Sequence, residues 1–156
     1  MGMARWMVGA GLALSLTVGA AAAQVATGGA VKDRQAHFLQ QGAAFKALLD
    51  ELKKDQPDPA VISSNAAKLK SLSVELPTWF PAGSGPETGV KTEAKAEVWS
   101  EPSEFAQAAQ RFQAEAAKLD QLAMAGDLAG VKAEAGMVGG ACKNCHDQFR
   151  APPAKT

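Results

Sequence analysis

The feature that most limits what this chain can fold into is the spacing of its apolar residues, which keeps a helical period almost throughout. Towards the C-terminal end Leu128, Val131, Ala135, Val138, Cys142, Cys145 and Phe149 recur at steps of three and four, the spacing that gathers side chains on one face of an α-helix. Phe105, Ala109, Phe112, Ala116, Leu119 and Ala123 repeat it in the segment before. Nearer the start, Val31, Phe38, Phe45, Leu49 and Leu52, with small Gly42 between the phenylalanines, predict a first helix over 31–54. The stretch "DQPDPA" ends it, because proline removes a donor and disfavours helix in the residue before it. Asp58 is then placed to cap a second helix with Pro59 at its first position, running through Val61, Ile62, Leu69 and Leu72.

The period fails over 74–98, where Pro77, Pro81 and Pro86 gather with glycines. A connection of this length exceeds the roughly 2–8 residues usual between bundle helices, so it either bridges a distance across the domain or has a function of its own. Ser100 and Pro102 open the third helix, Gly126 ends it, and Asp127 caps the fourth. No segment alternates as a strand would, and tyrosine is absent. The expected architecture is all-α: an antiparallel four-helix bundle, a fold that builds cofactor sites from inward side chains.

Residues 1–23 read as a cleaved secretory signal peptide. Arg5 precedes an apolar run too short for the roughly 20 residues of a spanning helix, and Ala21, Ala22 and Ala23 offer a cleavage site. This leaves residues 24–156 as one domain with a single core and no membrane anchor, exported to an oxidising compartment. The 16 basic and 16 acidic residues balance, so the chain has no basic footprint for nucleic acid.

Both cysteines of the chain lie in "CKNCH", the attachment pattern of c-type haem. Cys142 and Cys145 would form thioethers with the haem vinyl groups, and His146, one turn beyond Cys142, would give iron an axial nitrogen. On the fourth helix all three share a face with Val131 and Val138, so the thiols should face the core. Other chemistries compete. A thioredoxin-like dithiol belongs at a helix N-terminus after a strand, whereas these cysteines lie near a helix C-terminus. Zinc would need the distant His37 to complete four ligands, and free buried thiols are vulnerable to oxidation after export. Any sixth iron ligand must come from upstream: Met124, Met137 or His37. Met137 shares a helix with His146, and a methionine in a bundle seam is usually core filler.

The whole mature chain resembles cytochrome c′, the class II c-type cytochromes. The likeness is carried by "KDRQAHFLQQ" in the first helix, the Pro/Gly-rich connection, "EVWSEPSEF", "AMAGDLAGVKAE" and "CKNCHDQFR" near the C-terminal end. It implies a periplasmic bundle, commonly a homodimer, carrying one covalent haem c near the C-terminus of the fourth helix. The iron would be five-coordinate, with His146 as its protein ligand and the opposite, distal side vacant. The resemblance also implies that Arg34 and Gln35 contact the haem propionates, that Phe38 packs over iron where low-spin members carry a ligating methionine, and that Arg150 lies beside the proximal imidazole.

The residues agree in part. Phe38 falls on the inward face by period alone, and Arg34 shares that face, where a buried guanidinium needs an anion such as a propionate. Trp99 reads as a core or cofactor-packing residue, Trp79 as a loop anchor. His37 adjoins Phe38 about 100° around the helix, which puts it on the flank as a surface or interface residue. An apolar distal pocket suits nitric oxide and carbon monoxide, since Phe38 cannot give bound dioxygen a hydrogen bond. The expected function is reversible binding of these diatomics with Fe(III)/Fe(II) cycling in electron transfer to an unknown redox partner protein, and no enzymatic activity. The alternatives are a low-spin one-electron carrier using His37 or a methionine, and a peroxidase using His37 as acid and base.

Overall fold

The computed structural model describes residues 18–152. The proposed signal peptide lies outside the described residues up to position 17, and α1 begins within its remainder, spanning Val18–Glu51. There follow α2 (Pro59–Glu75), a short α3 (Glu97–Ser100), α4 (Pro102–Met124) and α5 (Leu128–Phe149). The four long helices form the bundle. α1 packs on α2, α2 on α4 and α4 on α5; short connections bring the first and last of these pairs together, and the long connection separates α2 from α4 in sequence.

Each boundary has a local cause. The Asp58 side chain accepts the Ala60 N–H at 2.8 Å and Pro59 fixes the first helical φ of α2. The Asp58 N–H itself donates to Glu51 Oε1 at 2.8 Å, and Lys54 Nζ donates to Oε2 at 2.7 Å. These contacts tie the end of α1 to the start of α2, and they explain why α1 stops at Glu51 and not at the expected Lys54. Gly126 takes a left-handed φ of 71° to end α4, and Asp127 caps α5 by accepting the Gly130 N–H at 2.9 Å.

Leu48, Leu69, Leu119, Val131 and Val138 are fully buried at the centre, each contributing about 1.5–3 kcal/mol relative to exposure. The inward phase of α1 runs through Val31, Arg34, Gln41, Ala44 and Leu48. Leu48 thus replaces Leu49, which is only half-buried, as the core leucine of that turn. Leu128 opens α5 at 36% exposed, outside the seam expected to hold it. Two ion pairs cross the bundle with buried carboxylates, Lys70–Asp120 at 2.8 Å and Lys118–Glu134 at 2.6 Å.

The long connection is more ordered than its prolines suggest. α2 continues into a 3-10 turn at Leu76–Trp79, and another turn lies at Pro86–Thr88. Its last part lies antiparallel to the end of α5: the Lys95 N–H donates to Phe149 O at 2.9 Å and the Ala151 N–H to Glu93 O at 2.7 Å. Lys95 Nζ also donates to the Asp147 and Gln148 carbonyls at 3.1 and 2.9 Å, satisfying groups that a helix C-terminus leaves unpaired. The segment bridges α1 and α5, which lie apart over much of their length.

Candidate haem site

Between α1 and α5 lies a cavity of about 700 Å³, within the roughly 300–1,000 Å³ usual for cofactor and ligand pockets. One wall is α1, with Arg34, Gln35, Phe38, Gln41 and Phe45; the other is α5, with Cys142, Cys145, His146, Phe149 and Arg150. Leu69 of α2 and Leu76 of the 3-10 turn after it form the floor, and Phe80, Lys91, Thr92, Glu93 and Ala94 of the connection close one end. The helical period puts the cysteines and the histidine on one face of α5, and the fold turns that face to the cavity. All three are half-buried, at the margin of the core and not inside it.

Burial sets the chemistry of these groups. It pushes the Cys142 thiol up to about 11, with neighbouring Cys145 adding to the effect, and the Cys145 thiol up to about 11 as well, so both are neutral thiols at physiological pH. Burial, followed by the Arg150 guanidinium, holds His146 below the ordinary histidine value, against Asp147 and Glu93. A neutral imidazole keeps the lone pair that a metal requires. Arg150 is fixed by Glu93, with Nε donating at 2.7 Å.

Arg34 departs from expectation. It is 2% exposed, yet its partners are neutral oxygens: Nη1 donates to Trp79 O at 3.3 Å and Ser84 Oγ at 3.1 Å, and Nη2 to Ser84 O at 3.0 Å and Thr92 Oγ1 at 3.2 Å. Its guanidinium carbon stands 4.7 Å from the centre of the Phe80 ring and 5.6 Å from that of Trp99. Carbonyl dipoles and aromatic faces thus stabilise the charge at contact distance, and the Glu87 carboxylate adds to this, against the effect of burial. The sequence could not reveal them, since they come from a connection 45 to 58 residues away. Gln35 Nε2 donates to Lys91 O at 2.9 Å, so both residues pin the connection to α1 while lining the cavity.

Trp99 does not belong to the cavity wall. Its Nε1 donates to Pro81 O at 3.1 Å and its ring meets Phe80 edge-on at 6.0 Å, so it supports Phe80 and Arg34 from behind. Phe38 is in the wall, edge-on to Trp79 at 5.2 Å. His37 is outside it, half-buried on the flank of α1 and stacked on Trp79, and does not face the cavity. Met124 and Met137 are 67% and 56% exposed, which corrects their reading as core filler and separates them from the cavity. Sequence reasoning missed Gln41, although a polar residue three positions after Phe38 on the inward phase was a legible signal.

A helical bundle that turns two thiols and an imidazole of one helix towards an apolar cavity defines the class of bundle c-type cytochromes. The family model described as Cytochrome C′ matches residues 29–150. The cytochrome c′ of Rubrivivax gelatinosus is 39% identical over 124 residues, 79% of this chain and 95% of the relative. Two solved structures are similar at 35% identity. The nitric oxide complex of a mutant cytochrome c prime from Alcaligenes xylosoxidans has a TM-score of 0.73 and covers 81% of this chain and 96% of its own. A carbon monoxide-bound variant from the same organism has a TM-score of 0.71, with 79% and 94% covered. The chain belongs to the cytochrome c′ family, and its cofactor is the covalent c-type haem of that family.

Proposed function

We propose that this protein is a periplasmic five-coordinate haem protein that binds nitric oxide and carbon monoxide and cycles between Fe(III) and Fe(II), passing single electrons to a redox partner and catalysing no reaction of its own. The observation that carries this reading is the distribution of residues about the cavity: Cys142, Cys145 and His146 on one wall, Phe38 on the other, and His37 outside. Each thiol would add across one vinyl group, its sulfur bonding one carbon and its proton going to the other, without change of oxidation state. His146 would give its lone pair to iron. Arg34, Gln35 and Arg150 stand at the polar end of the cavity, where propionates would meet cationic and amide donors. Held by these residues, the haem would supply redox chemistry and diatomic binding at its iron.

Support for the gases comes from the apolar ring of Phe38, which excludes water without offering a ligand, and from the nitric oxide and carbon monoxide complexes of the similar proteins. No helix of the described residues is long and apolar enough to cross a membrane, and cleavage after Ala23 would release the chain into the periplasm. A homodimer is expected from the family likeness; exposed Leu39 on α1 would suit it, and sedimentation measures it. The deciding experiment is expression with cytochrome maturation machinery, followed by intact mass, acid-acetone extraction, and spectra of the reduced protein with and without nitric oxide. Haem that extracts freely, or a six-coordinate low-spin spectrum before the gas is added, defeats the reading.

A further inference from the structure

The cavity wall contains one polar side chain that this reading leaves unused. Gln41 follows Phe38 by one turn of α1 on the inward phase, is 8% exposed and lines the cavity. Its Oε1 is sealed from solvent and has no hydrogen-bond partner. A buried amide group normally finds a partner, because leaving one unpaired forfeits its bonds to water without replacement. Around it the wall is hydrocarbon: Phe38, Phe45 and Leu69. Because Oε1 is closed off from the cavity as it is from solvent, the amide would meet a guest through Nε2, a donor.

We propose that Gln41 is a specificity-determining residue of the distal side, its amide donating a hydrogen bond to the diatomic molecule held beneath Phe38. The inference rests on the haem reading above. The charged groups of the cavity, Arg34, Lys91, Glu93 and Arg150, gather at the end closed by the connection, and Phe38 stands between Arg34 and Gln41 along α1. The propionates belong at that charged end, which leaves Gln41 to serve the interior. The distal pocket is therefore not wholly apolar, and it selects by polarity as well as size: a diatomic with a polarised terminal atom gains a bond that an apolar wall would deny it.

The test uses the holoprotein, with carbon monoxide and nitric oxide as probes. A donor beside bound carbon monoxide lowers its C–O stretching frequency, so Gln41→Leu should raise that frequency and speed nitric oxide release about fivefold, the factor that one ordinary hydrogen bond is worth. Gln41→Met, closer in length, should give the same shift with the cavity filled. Gln41→Asn, which keeps an amide on a shorter stem, should fall between. Identical C–O frequencies in wild type and both apolar variants overturn the proposal. So does a change of reduction potential alone, which would assign the amide to the haem edge. Failure of the haem reading itself is distinct, because then no covalent haem is found by mass and no carbon monoxide complex forms.

Discussion

His37 lies flat on Trp79, the ring centroids 4.7 Å apart and the planes 9° from parallel. This stack holds the imidazole on the flank of α1, while Phe38, the next residue, meets the same indole edge-on and reaches the cavity. One tryptophan thereby fixes the register of α1 against the site. His37→Ala should leave the spin state and the carbon monoxide kinetics unchanged and cost about 0.5–1.5 kcal/mol in urea unfolding, the worth of a stacked pair. Conversion of a low-spin protein to high spin by this variant would make His37 the sixth ligand.

Phe38 is expected to act as a barrier. Phe38→Ala removes the ring from the cavity wall and should speed carbon monoxide combination with the reduced protein by roughly tenfold, equivalent to about 1.4 kcal/mol of barrier. Phe38→Met should shift the optical spectrum towards low spin, as a thioether on this face becomes available to iron. Unchanged flash-photolysis rates in the alanine variant would show that the ring does not gate entry.

Arg34 should matter to the fold as well as to the site. Arg34→Met removes four hydrogen bonds, leaves the Trp79 and Ser84 carbonyls short of donors, and should cost about 3 kcal/mol in urea unfolding. Arg34→Lys keeps the charge without the planar fork and should recover less than half of the loss. Wild-type stability in the methionine variant would show that the connection is held by other contacts.

Glu51 predicts an acid-dependent contribution. The Asp58 N–H and then Lys54 hold its carboxyl below the usual glutamate value of 4.5. A lowered folded-state value means stabilisation that is fully present above that range and is lost as pH falls through the folded value. Glu51→Gln should therefore unfold at lower urea than wild type at pH 7, and the two midpoints should converge as the pH drops below 4.5. A constant gap across the acid range would refute the assignment.

The four long helices were legible in the residues, though not every boundary, because their signals are local: steps of three and four in the apolar residues, Asp58 and Asp127 before helix starts, and Gly126 after a helix end. The sequence by itself determined the attachment motif too, since Cys142, Cys145 and His146 need only one helix to share a face. The tertiary structure decided what depends on residues distant in sequence. Arg34 finds carbonyls in the connection that no local pattern announces, Trp99 stands behind Phe80 and not against the cavity, and Met124 and Met137 are exposed. Gln41 shows the difference most clearly. Its place on the inward phase is periodic and could be read, but whether a buried amide has a partner depends on every element packed around it, and only the fold brings those together.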